Sequence, residues 1–166
     1  MDNIESKLQN GIDLKSQGNV FFKAANYTEA LKSFHFALCA LRGLDGSAFQ
    51  FSKPIDPDTK RKVQEAMAHV HTNMAAVYLK QGKPDKAIAA TAKVLETDHK
   101  HVKAMYRQAQ AYLELKSFDK AQDVIMRAVT EAPKDPMIRE LYQSIRAKIA
   151  DSEKSSSNEL KAKLKF

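Results

Sequence analysis

Residues 75–87 read AAVYLKQGKPDKA and residues 109–121 read AQAYLELKSFDKA. Overlaid at an offset of 34, Ala75, Tyr78, Leu79, Asp85, Lys86 and Ala87 fall on Ala109, Tyr112, Leu113, Asp119, Lys120 and Ala121. Further on, Val94 and Leu95 fall on Ala128 and Val129. A third copy lies upstream at an offset of 57, one period plus 23 residues, where Phe21 matches Tyr78 and Ala30 matches Ala87. In that copy Ala37 and Leu38 match Val94 and Leu95. Small residues align with small and aromatics with aromatics. The chain is therefore an internal repeat, and each copy must bury its apolar face against its neighbours.

Apolar residues inside each copy recur at three- and four-residue steps, which is the period of an amphipathic helix. Ile12, Leu14, Phe21 and Phe22 mark one helix, and Ala30, Leu31, Phe34, Ala37, Leu38 and Leu41 mark its partner. The spacing predicts repeat 1 over about 11–42, a connecting loop over about 43–58, repeat 2 over about 59–98 and repeat 3 over about 99–133. The loop contains Gly43, Gly46, Pro54 and Pro57 and breaks both periodicities, with Asp58 or Thr59 expected as the N-cap of the next helix. Pro136 opens a capping helix over about 136–150, striped by Ile138, Leu141, Ile145 and Ile149. Ser155, Ser156 and Ser157 weaken its continuation, so 151–166 is expected as a basic helix extension or tail. The fold class is all-α: three helix–turn–helix repeats plus a cap.

A period of 34 residues, with Gly18, Phe21, Ala30 and Phe34 in the first copy, resembles the tetratricopeptide repeat (TPR). The third copy keeps Ala109, Tyr112, Ala121 and Pro133. The second departs most, with Thr91 in place of the later aromatic and His99 in place of Pro. The resemblance implies a TPR superhelix.

Composition narrows the function classes. Charged residues make up 28% and hydrophobic residues 43%, and five Gly with five Pro are too few for a turn-rich β fold. Net charge is +7, which favours acidic partners without choosing among them. Cys39 is the single cysteine, which excludes an internal disulfide and suits a reducing compartment. It is expected as a buried thiol on the apolar face of its helix. No run approaches 18 apolar residues, and the start MDNIESKLQNG has no signal-peptide core, so a cytoplasmic protein is expected. His69/His71 and His99/His101 are spaced i,i+2; on a helix that spacing aims the rings of the first pair apart, the second pair sits at a helix entry, and no Cys pair assists, so no metal site is expected. No phosphate loop or activated nucleophile is present. The chain is expected to be no enzyme and to need no cofactor.

Polar residues at equivalent repeat positions carry the functional signal. Lys15 and Asn19 are spaced i,i+4 on the first helix, and Lys103 and Arg107 on the fifth, so each pair shares a helix face. Asn73 lies one period before Arg107 and takes the equivalent place on the third helix. Two cations at i,i+4 repel one another until an anion arrives.

These five residues resemble the two-carboxylate clamp of TPR co-chaperones, which grips the C-terminal EEVD of 90-kDa and 70-kDa heat-shock chaperones. The stretches that carry the likeness are LKSQGNVFFKAANYTEALKSF (14–34), HTNMAAVYLKQGKPDKAI (71–88) and HVKAMYRQAQAYLELKSFDKA (101–121). The resemblance implies that Lys15, Asn19 and Asn73 hold the terminal main-chain carboxylate and Lys103 the last Asp side chain. Arg107 would reach groups further upstream, and Phe22, Ala76 and Lys80 would line the same groove. The implied partner is a chaperone tail, with the 90-kDa class favoured over the 70-kDa class. No nucleic acid is expected, because the aromatics fall mostly on core positions. The long loop after repeat 1 is most similar to the TPR domains of FKBP-type and cyclophilin-type immunophilins. That likeness leaves a second reading open, the docking part of a peptidyl-prolyl isomerase. Another acidic protein partner is a third.

Overall fold

The computed structural model describes residues 2–42, 44 and 55–163, with side chains from residue 4 onward. Among the described residues seven helices follow one another: α1 (Asp2–Lys23), α2 (Tyr27–Leu41), α3 (Pro57–Lys80), α4 (Pro84–Thr97), α5 (Val102–Glu114), α6 (Phe118–Glu131) and α7 (Pro136–Lys163). No strand occurs among the described residues. Most of the expected inter-repeat loop lies outside the described residues.

Each hairpin closes with the same turn. Ala25, Gly82 and Lys116 have φ of 57°, 65° and 57°, and they stand at equivalent repeat positions. The next residue then donates its N–H back over the helix end: Asn26 to the carbonyl of Phe21, Lys83 to Tyr78 and Ser117 to Tyr112, at 2.8–2.9 Å. This is a Schellman closure, which satisfies carbonyls that a helix end leaves without partners. The repeat thus encodes its turn through hydrogen bonding, even where the left-handed residue is not glycine.

The start of α3 corrects one expectation. Asp56, not Asp58 or Thr59, is the N-cap, and its carboxylate accepts from the Thr59 N–H at 2.9 Å. Pro57 fills the first helical position, where a missing N–H costs nothing. Asp58 is instead held by Arg61 and Lys62 at 2.8 and 2.7 Å. Cys39 is a second correction: it is exposed. The buried face of α2 is Ala30, Ser33, Phe34, Ala37, Leu38 and Leu41, and Cys39 falls outside that stripe.

Two large clusters and a thin one make the core. Phe34, Leu41, Val63 and Val70 anchor the first, between α1, α2 and α3. Met105, Ile125, Ile138 and Ile145 anchor the second, between α5, α6 and α7. Ala75, Ala87, Ala90 and Ala111 join them as a layer of small side chains, which lets α3, α4 and α5 approach closely. Gly18 shows why the repeat asks for glycine there: an added Cβ would lie 2.5 Å from the ring of Phe34, which is wholly buried. Thr91, the divergent residue of repeat 2, is also wholly buried. Its hydroxyl donates to the carbonyls of Ala87 and Ile88 at 3.0 and 2.9 Å, so the polar atom is satisfied inside the helix.

Sequential helices pack as antiparallel neighbours, and α1 also touches α3, α3 touches α5 and α5 touches α7. The odd-numbered helices therefore form one continuous wall, while α2, α4 and α6 stand behind it. Helix α7 covers the last repeat with Ile138, Leu141 and Ile145, and then runs on helically to Lys163 with residues 150–163 exposed. The serines at 155–157 do not interrupt it, because Ser155 and Ser156 bond to the carbonyls of Asp151 and Ser152 within the helix.

Candidate functional site

Lys15 and Asn19 lie on α1, Asn73 on α3, and Lys103 and Arg107 on α5, the three helices that share the odd-numbered wall. The side chain of Asn73 donates to Asn19 Oδ1 at 2.7 Å, a bond between residues 54 apart in sequence. Both amides are half-buried. That bond leaves each side chain with further hydrogen-bonding capacity, because an amide carries two donors and an acceptor with two lone pairs.

Asn73, Lys103 and Arg107 line one cavity of about 280 Å³, with Thr72, Tyr106 and Met137 around them. Phe22, Ala76, Lys80 and Arg107 line an adjoining cavity of about 500 Å³. Arg107 belongs to both, so the two hollows meet at its guanidinium. Its Nη1 donates to Gln110 Oε1 at 2.9 Å, and the guanidinium carbon lies 5.4 Å from the centre of the Tyr106 ring. Burial draws the Arg107 pKa below the usual guanidinium range, which makes this cation receptive to a counter-charge. Phe22 stacks obliquely on Tyr27 with ring centres 5.9 Å apart, which holds the far wall of the second hollow.

Lys15 lines neither cavity. It is tied to the group through His69 on α3: burial first, then the positive fields of Lys15, His101 and Lys103, push the His69 pKa down. One imidazole therefore feels a lysine from α1 and a lysine from α5. Among the described residues, Lys15, Lys103 and Arg107 make no ion pair with a carboxylate. Asp135 and Glu114 stand on the rims. Asp135 is already committed to capping α7, accepting from the Met137 and Ile138 N–H groups at 2.9 and 3.4 Å.

Four residues of this region escaped sequence reasoning. Gln110 follows Arg107 at i+3, a spacing that could have flagged it as support, whereas Tyr106 at i−1 carries no such signal. His69 and His101 meet across helices, with ring centres 6.4 Å apart. His101 also caps α5, its Nδ1 accepting from the Ala104 N–H at 3.2 Å. No cluster of metal-ligating side chains occurs among the described residues. Nor is any of their helices long and apolar enough to cross a membrane.

Comparison with known proteins agrees with this architecture. Residues 78–148 match the model of a tetratricopeptide repeat family. The chain is 28% identical over 149 residues to tetratricopeptide repeat protein 9C of Xenopus tropicalis, covering 84% of each. The C-terminal TPR-containing domain of a Plasmodium falciparum FK506-binding protein superposes with a TM-score of 0.74 at 26% identity, over 91% of this chain and 95% of that one. The first TPR of Spaghetti (RPAP3), solved with the HSP90 peptide SRMEEVD, superposes with a TM-score of 0.65 at 20% identity, over 86% and 94%.

Proposed function

Starting from a chain that carries a TPR domain, we propose that it is a non-catalytic adaptor for the free acidic C-terminus of a heat-shock chaperone. The observation that carries this reading is the Asn19–Asn73 amide pair, set among cations that no carboxylate of the described chain neutralises. Lys15, Asn19 and Asn73 take the terminal main-chain carboxylate, and Lys103 takes the side chain of the last Asp. Arg107 reaches peptide groups upstream, along the hollow lined by Phe22, Ala76 and Lys80. A fold neighbour captured with SRMEEVD supports an EEVD ligand of the 90-kDa class. The protein then works in the cytoplasm beside that chaperone.

A chain end is what distinguishes this ligand from other acidic peptides, since only a C-terminal Asp offers two carboxylates a few ångströms apart. Hydrogen bonds to charged groups contribute about 1.5–3 kcal/mol each. A few of them, less the cost of ordering a short peptide, give an affinity near −8 kcal/mol, roughly micromolar.

Calorimetric titration with SRMEEVD, with its C-terminal amide and with the EEVD tail of the 70-kDa chaperone tests this. The acid form binds, the amide loses most affinity, and the 90-kDa tail binds more tightly. Equal affinity for acid and amide overturns the clamp. The likeness to the FK506-binding protein domain favours an immunophilin version of the same reading, in which this domain docks a prolyl isomerase. The mass of the endogenous polypeptide, detected with an antibody against residues 136–150, decides that version.

A further inference from the structure

The wall formed by the odd-numbered helices has no counterpart behind it. Helices α2 and α4 each pack on α3, and among the described residues no Cα atom of α2 lies within 8 Å of one of α4. The space left between them is a cavity of about 380 Å³ with α3 as its floor. It is flanked by α2 and α4, whereas the clamp residues come from α1, α3 and α5. The site stands independently of the chaperone reading.

Its lining is chemically one-sided. Arg42 at the end of α2, Lys60 on α3 and Lys93 on α4 converge on it, and among the described residues no carboxylate lines it. Among the described residues none of these three cations makes an ion pair. His71, half-buried, also lines the cavity, and its ring nitrogens have no hydrogen-bond partner among the described residues. The apolar part of the lining includes Leu38 and Val94, both buried, and the half-buried Met67 and Ala68 of α3, which form its floor. Burial, then the positive fields of Lys93, Arg42 and His35, hold His71 down to about 4. The ring is therefore neutral at pH 7 and retains one N–H to donate.

Three cations drawn from three helices repel one another until a counter-charge is present. A carboxylate supplies one negative charge, whereas a phosphate monoester supplies about 1.5–2 and three strong acceptor oxygens. The volume falls within the range of small-molecule sites, about 300–1,000 Å³. An apolar floor under a cationic rim suits an amphiphilic anion better than a bare ion. We infer that this cavity binds a phosphate monoester carried on a compact aromatic body, with Arg42, Lys60 and Lys93 on the phosphate and Met67 and Ala68 of α3 under the ring. His71 donates to a phosphate oxygen. The same chemistry arrives either as a free aryl phosphate or as the phosphotyrosine side chain of a peptide.

The test is an NMR titration of the full chain with phenyl phosphate, inorganic phosphate and a short phosphotyrosine peptide. Phenyl phosphate is expected to shift the amides of 38–42, 60–71 and 93–97 saturably and to raise the His71 pKa. Inorganic phosphate binds about tenfold more weakly, and Arg42→Ala or Lys93→Ala each weakens phenyl phosphate about tenfold. Both residues are exposed, so neither change threatens the fold. Lys154→Ala, an equal loss of charge on exposed α7, leaves the affinity unchanged. A peptide tighter than phenyl phosphate identifies a protein side chain as the source; otherwise the ligand is a small molecule. Shifts that fail to saturate below roughly 10 mM, or an equal loss in Lys154→Ala, overturn the inference.

Discussion

Asn73 donates its side-chain N–H to Asn19 Oδ1 at 2.7 Å, and so locks the rotation of α3 against α1 at the middle of the odd-numbered wall. The bond orients both amides before any ligand arrives, which lowers the cost of ordering them on binding. Replacing either by Ala is expected to weaken SRMEEVD binding about tenfold or more while costing about 0.5–1.5 kcal/mol of stability. Asn73→Asp separates the two effects further: it adds a carboxylate facing the peptide's own, and binding vanishes. Calorimetry and urea denaturation on the same variants read both quantities.

Lys103 is exposed and makes no ion pair among the described residues, so Lys103→Ala is expected to change stability by less than about 0.5 kcal/mol. Its effect is expected in SRMEEVD binding instead. Arg107→Lys keeps the charge but loses the planar fork that meets Gln110, and is expected to bind less well than wild type. Both losses shrink as salt rises, because the groove is open to screening. A large drop in Tm for Lys103→Ala would make that lysine structural and remove it from the clamp.

The recurring left-handed turn makes a stability prediction with opposite signs at equivalent positions. Lys116 at φ 57° carries a strained backbone, and Lys116→Gly is expected to stabilise by about 0.5–1 kcal/mol. At Gly82, φ 65°, a Cβ would meet nothing within 4 Å, so the cost of Gly82→Ala is purely backbone, about 1 kcal/mol. Urea midpoints that move in the same direction for both would refute the shared turn geometry.

His71 predicts an acid-sensitive stability. Its folded pKa, about 4, lies below its ordinary value of 6.5, because burial and then the charges of Lys93 and Arg42 oppose protonation. Between those values the unfolded chain binds more protons than the folded one. Stability is thus complete above pH 6.5 and falls as the pH drops toward 4. The ring is partly solvated, so the loss is about 1–2 kcal/mol. His71→Gln flattens that part of the profile in denaturation curves taken across the window. An unchanged slope would mean that other groups carry it.

Much of the architecture was legible in one dimension. The 34-residue offset aligned Tyr78 with Tyr112 and Ala87 with Ala121, and the apolar steps of three and four separated the helices of each pair. Equivalent places in a repeat lie on equivalent faces, so Asn73 and Arg107 could be assigned to one wall before any coordinate was known. Boundaries were less legible. Asp56 rather than Asp58 caps α3 because a cap is chosen by local backbone geometry, and two nearby acids look alike in a string.

Sequence by itself determined the helical repeat and the helices on which Lys15, Asn19, Asn73, Lys103 and Arg107 stand, because periodic burial of small and aromatic side chains leaves helices few ways to stack. Tertiary structure alone decided what meets across helices: the Asn19–Asn73 bond, the pairing of His69 with His101, the exposure of Cys39 and the cationic hollow between α2 and α4. Those contacts depend on the rotation and spacing of whole helices. Both are set by close packing throughout the core, a property that no short window of residues contains.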